Sequence, residues 1–152
     1  MTDRLDGAGA GVLDEPSAAD NLRLIEEFEQ GRPAEGFHHA DHVRVAFAYV
    51  SRFPILEAIG RFSEALRRFA AAKGKAGLYH ETITWGYLLL INERRSKQGK
   101  GSSWEEFAEA NSDLLIWKGG PLERYYSPER LNSDLARKIF VLPDRAECVG
   151  HP

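Results

Sequence analysis

A chain of 152 residues, 43% of them hydrophobic and 28% charged, is long enough for one ordinary domain with its own core. The formal charge of -3 supplies no basic field for nucleic acid or for an anionic membrane surface, so neither is expected as a partner. The single cysteine, Cys148, cannot form an internal disulfide, and the chain has no thiolate metal site; a reducing, cytoplasmic location is the expectation.

Residues 1–17 are expected to form a flexible N-terminal tail. Gly7, Gly9 and Gly11 alternate with alanines and Pro16 follows, so ordering the segment would cost backbone entropy and bury little apolar surface. The Gly7 to Gly11 run lacks a preceding strand and the GxGxxG spacing, which excludes a dinucleotide loop. Between Met1 and Asp20 there is neither a basic start nor a long apolar run. No later stretch approaches the ~20 apolar residues of a membrane span.

The helical domain is expected over 18–142. Leu22, Ile25 and Phe28 give a short first helix from Ala18 that Gly31 and Pro33 stop. A second helix should run from His39 to about Arg52, because Val43, Ala46, Phe47 and Val50 repeat at i, i+3, i+4, i+7. Pro54 ends it and opens a third, whose stripe is Ile55, Ile59, Phe62, Leu66 and Phe69, with Arg61, Glu64, Arg67 and Arg68 on the wet side. A fourth is expected from about Leu78 to Lys97. Its middle, Thr82 to Ile91, carries no charge and is apolar on nearly every side, the pattern of a central helix covered by its neighbours.

The Gly99-Lys100-Gly101 turn lacks the spacing of a phosphate loop. Ser103 and Glu106 form a capping box for a short helix through Ala110, and Asn111 or Ser112 can cap a further turn through Trp117. Ser127-Pro128 should open a last helix presenting Leu131, Leu135 and Ile139, after which Phe140, Val141 and Leu142 dock as an extended end. Residues 143–152 are expected to form a flexible C-terminal tail. Trp85, Trp104 and Trp117 are expected as core anchors, and the Arg67/Arg68 and Arg94/Arg95 pairs as solvated helix faces. With no strand pattern of useful length, the expected fold is all-α: a single-domain antiparallel helical bundle with a near-completely buried central helix.

Chemistry concentrates in Gly36 to His42, which holds His38, His39 and His42 where a helix begins; the other histidines are His80 and His151. His39 and His42 share a helix face in the first turn, where the positive end of the helix dipole favours a neutral imidazole, the form that ligates a metal or acts as a base. His80-Glu81 opens the fourth helix. If it faces the first pair, His39, His42, His80 and Glu81 form a candidate metal set for Zn²⁺ or a non-haem iron or manganese ion, with Asp41 beside it. His80 and Glu81 are the candidate catalytic residues, with Thr84 and Tyr87 following His80 at helical spacing to contact substrate.

Each residue also has a plain structural role available: a helix cap for a histidine, and dipole stabilisation of ~0.3 to 1 kcal/mol for Glu81. HExxH metalloprotease chemistry is excluded because Thr84 stands where the second histidine belongs. Ferritin-type di-iron chemistry is excluded because the only Glu-x-x-His, Glu35 to His38, crosses Gly36, and no G-x-S-x-G elbow exists.

The stretch Phe37-x-His39-x-x-His42 running into Ala46, with Gly77-Leu78-Tyr79-His80-Glu81-Thr82-Ile83-Thr84, resembles an uncharacterised family of small bacterial all-helical proteins with F-x-H-x-x-H and Y-H-E-T motifs. The resemblance spans the helical domain without its tails. It implies motif roles for His39, His42, His80 and Glu81 and a variable position at His38, and it brings no reaction with it.

Two functions follow as expectations. In the first, a small enzyme handles a small-molecule substrate through the His/Glu pocket, by divalent-metal-assisted hydrolysis, elimination or proton transfer, or by histidine and Glu81 alone without a metal. In the second, a non-catalytic binding or assembly module, such as a homodimer, keeps its histidines for structure and meets its partner through Tyr125 and Tyr126.

Overall fold

The protein, described as a computed structural model over residues 15–32, 37–99 and 101–145, is an all-α helical bundle, with no strand among those residues. Most of both expected tails lies outside the described residues. Helix α1 spans Glu15–Glu29 and starts ahead of the expected Ala18, because Pro16 occupies the first turn, where its missing N–H breaks no bond. Helix α2 spans His39–Arg52, the bounds that the apolar spacing predicts. The backbone N–H of His38 donates to Asp41 Oδ2 at 2.9 Å, so Asp41 serves as a capping residue at an exposed turn.

Burial of α2 goes beyond one stripe: Val43 and every residue from Val45 to Val50 are buried. The reason is packing on several sides, by α1, by α3 (Ile55–Ala72), by α4 (Glu81–Gln98) and by a 3-10 turn at Ser112–Leu115. On α3, Ile59 and Phe62 of the expected stripe are buried together with Ala58 and Ala65, Ile55, Leu66 and Phe69 are half-buried, and Arg61, Glu64, Arg67 and Arg68 are exposed as expected.

Helix α4 begins after a 3-10 turn at Ala76–Leu78 and is capped by His80, three residues beyond the expected start. It is the central helix. Thr82, Leu88 and Ile91 are fully buried, and the Leu88 and Ile91 side chains each contribute roughly 1.5–3 kcal/mol. The burial lapses at Leu89, which is 39% exposed, and in the charged last turns.

The second half of the chain wraps this core. Helix α5, Trp104–Ala110, has the expected capping box, with Ser103 Oγ accepting from Glu106 N–H and Ser103 N–H donating to Glu106 Oε1, both at 3.1 Å. Past Asn111 the chain makes the Ser112–Leu115 turn alone and does not continue to Trp117. After a 3-10 turn at Pro121–Arg124, the expected last helix is broken in two: α6, Pro128–Leu131, and α7, Asp134–Lys138.

Ser133 makes the break. Its hydroxyl donates to Arg130 O at 2.8 Å, closing α6, and accepts from Ala136 N–H at 3.1 Å, opening α7. The changed helical phase leaves Leu135 and Ile139 about half exposed, not in the core. The expected partner-facing tyrosines are corrected likewise: Tyr126 is buried with its hydroxyl on Val141 O at 2.7 Å, and Tyr125 is half-buried. Of the expected solvated arginines, Arg94 pairs with Asp113, its Nη2 donating to Oδ2 at 2.9 Å, and Arg95 is half-buried.

The extended end does dock. Thr82 Oγ1 donates to Ile139 O at 2.8 Å and accepts from Val141 N–H at 3.1 Å, Phe140 stacks on Trp85, and Val141 is buried, while Leu142 is exposed. Replacing Thr82 with valine keeps the shape and leaves both backbone groups unpaired, so the variant should lose about 2 kcal/mol of stability. Urea denaturation should give a lower midpoint with an unchanged slope; a midpoint equal to that of the unsubstituted protein would show that the hydroxyl does not hold the strap.

Candidate functional site

A cavity of about 890 Å³ opens beside α2, α3 and α4 and reaches Asn132 and Arg137. Three turns of α2 supply His39, His42, Val43 and Ala46; α4 supplies Ile83, Thr84, Tyr87 and Leu88, with its cap His80 at one edge. Phe62, Leu66 and Phe69 of α3 complete an apolar wall. Of the residues expected to form a site, His39, His42, His80, Thr84 and Tyr87 therefore border one cavity, and Glu81 does not.

The three histidines differ in which nitrogen is free. Ile83 N–H donates to His80 Nδ1 at 3.2 Å, and Nε2 donates to Leu131 O at 2.7 Å. Both nitrogens are thus used by backbone, the ring is neutral with its proton on Nε2, and burial keeps its pKa below the usual value. His80 is a cap and a tie to α6, with no lone pair left for a metal or for a proton.

His39 donates from Nε2 to Leu114 O at 2.9 Å, which in a neutral ring leaves Nδ1 unprotonated. Its pKa is lowered by burial, with the Leu114 carbonyl partly offsetting this. Tyr87 meets the ring edge-on and Trp117 lies against it at 5.1 Å. Trp117, 57% exposed, is a rim residue of the cavity and not a core anchor.

His42 is the unsatisfied member. Its Nε2 is buried with no hydrogen-bond partner, and the ring sits edge-on to Phe37 at 4.6 Å. Burial drives its pKa down to about 4, His39 pushes the same way, and Asp41 opposes. A buried polar atom without a partner costs stability, and the residue that carries this one lines the cavity.

Glu81 lies in the first turn of α4 as expected, but its Oε1 accepts from Arg67 Nη2 at 3.0 Å and from the Tyr79 hydroxyl. Arg67 also lies over the Tyr79 ring at 4.9 Å. The carboxylate is a tie between α3 and α4. Thr84 Oγ1 donates back to His80 O at 2.7 Å, while Tyr87 is buried, with its pKa raised to about 12 by burial first and by Asp113 and Glu123 next.

Gly120 permits this arrangement: a Cβ there would stand 2.9 Å from the Tyr87 hydroxyl and 2.7 Å from Ile116 O. The expected ligand set of His39, His42, His80 and Glu81 does not assemble, since among the described residues no three His, Cys, Asp or Glu side chains are placed to hold a metal ion. Two of the four are engaged elsewhere: both His80 nitrogens are used by backbone groups, and Glu81 is held by Arg67 and Tyr79.

Lys73, Lys75 and Arg137 also line the cavity and escaped notice in the sequence. A signal for the first two exists: residues 65–80 hold Arg67, Arg68, Lys73 and Lys75 and no acid. Arg137 comes from the distant α7 and has no local signature.

Comparison with protein-family models, with curated proteins and with solved structures finds no match for the chain. Among the described residues, no helix is long and apolar enough to cross a membrane.

The depressed His42 pKa has a definite sign in stability. In the unfolded chain the imidazole takes a proton as pH falls through 6.5; in the folded protein it does so only near 4. Between these values the unfolded state binds more protons, so stability falls as pH is lowered through the window. Burial lowers the His39 and His80 pKa values too, adding in the same direction. His42→Phe removes the largest of these, and its denaturation midpoints, followed across the window, should decline less steeply than those of the unsubstituted protein; equal slopes would show that His42 is not held neutral.

Proposed function

We propose that the protein binds a small, largely apolar organic molecule in the cavity beside α2, α3 and α4, and that His42 receives a polar group of that molecule. One observation carries this reading: His42, whose Nε2 is buried without a partner, lines a cavity within the ~300–1,000 Å³ range of small-molecule sites, so that a small turn of the ring would bring that nitrogen to a bound molecule. The surrounding Phe62, Leu66, Phe69 and Leu88 offer apolar area, and one orienting polar atom among them is the usual composition of such a pocket.

The imidazole suits hydrogen bonding better than strong base catalysis. Proton abstraction near neutral pH is most efficient from a group whose pKa lies near that pH, and burial holds His42 well below it. A second reading, proton transfer on the bound molecule, draws on His39, one turn away on the same wall with an unprotonated Nδ1. It requires the bound molecule to raise the His39 pKa, which burial lowers.

Naphthol, a neutral fluorescent compound with one hydroxyl, tests the binding reading. It should bind saturably, with affinity reduced about 3–10-fold in His42→Phe, the loss of one ordinary hydrogen bond. Leu66→Trp, which fills the cavity from α3, should abolish binding. Absence of saturable binding to the unsubstituted protein, or binding indifferent to both substitutions, would sink the proposal.

A further inference from the structure

The charge around the cavity runs against the charge of the chain. The protein has 23 acidic residues against 20 lysines and arginines, yet among the described residues no Asp or Glu lines the cavity, whereas Lys73, Lys75 and Arg137 do. Among the described residues none of these three is in an ion pair. Other cations nearby are neutralised: Arg67 is held by Glu81 and Arg68 by Glu64.

These three cations gather at one side. Lys73 follows the last turn of α3 with its Nζ 5.4 Å from the Phe69 ring centre, Lys75 precedes the Ala76–Leu78 turn, and Arg137 Nη1 reaches Gly77 O of that turn at 3.4 Å. Lys73 and Lys75 are exposed, so this side is the mouth. From it an aromatic path leads inward: Phe69 meets Phe37 at 5.4 Å, and Phe37 meets His42 at 4.6 Å. Cations at the mouth and an unpartnered imidazole at depth are thus joined by two rings.

We infer that the ligand of this cavity is an amphipathic organic anion, with its charged group received by Lys73, Lys75 and Arg137, its apolar body along Phe69 and Phe37, and a second polar group at His42. The inference rests on the binding reading above and adds the ligand class. Cations that no described carboxylate pairs with favour an anion and penalise a cationic ligand, which supplies selectivity that the apolar wall lacks. Because the cations are partly solvated at the mouth, their attraction is screened by salt.

Hydroxynaphthoate and its methyl ester separate the two claims, for they share rings and hydroxyl and differ in charge. Hydroxynaphthoate should bind at least about ten-fold tighter than the ester at low salt, with the preference shrinking as salt is added. In Lys73→Gln/Lys75→Gln/Arg137→Gln the preference should vanish. The double variant Lys73→Gln/Lys75→Gln, which alters exposed side chains alone, should lower it at least about three-fold with an unchanged circular dichroism spectrum.

Equal binding of acid and ester, or a preference that survives in both variants, would overturn the anion inference while the pocket reading stands. If neither compound binds, the pocket reading fails and the inference with it.

Discussion

The start of α4 lies inside the protein, and a buried helix N-terminus must find acceptors for backbone N–H groups that the helix itself cannot satisfy. His80 meets that need: Nδ1 takes the Ile83 N–H, and the proton this forces onto Nε2 is given to Leu131 O. Thr84 satisfies the His80 carbonyl one turn on, and Thr82 takes up the chain beyond α7. Since α4 packs against α2, α3 and α7, the place where it starts sets where every other helix meets it. A protonated His80 could not accept from Ile83, so the fold itself requires the neutral ring.

The same logic assigns the other histidines. His39 is anchored through Nε2 to the Ser112–Leu115 turn, which fixes its ring beneath Trp117. His42 shares its helix and its wall but has no carbonyl within reach of Nε2, and this difference, not its residue type, makes it the candidate contact. Glu81, the acid of the expected ligand set, is drawn away by Arg67 and Tyr79. What remains along the cavity is apolar surface, neutral imidazole and cations, an environment that suits an anion with an apolar body.

Much of the architecture is local and was legible. The α2 bounds follow from i, i+3, i+4, i+7 spacing, α5 from the Ser103–Glu106 box, and the Phe140–Val141 docking from an apolar run ahead of Pro143. The α6/α7 break was missed because Ser133 looks like any surface serine until its hydroxyl is seen to bond on both sides. That the histidines at the starts of the second and fourth helices could share one site was an expectation from their places in the chain; the cavity that His39, His42 and His80 line depends on packing that the sequence does not display. Their individual roles were not, because they depend on Leu114 and Leu131, 75 and 51 residues away in the chain. A sequence supplies the imidazole but not the carbonyl that meets it.

The strap over α4 bears on the order in which the protein can be made. Val141 closes against Thr82 and Tyr126, and Phe140 covers Trp85, so one flank of the central helix is sealed by residues synthesised after all the helices of the bundle. A ribosome releases α1 to α4 long before it releases that cover. The emerging chain therefore carries an uncharged stretch from Thr82 to Ile91 with apolar surface open to water, the kind of segment that holdase chaperones engage. Completion of the fold is in this sense a late event, set by the arrival of a short extended segment and not by the helices that it secures.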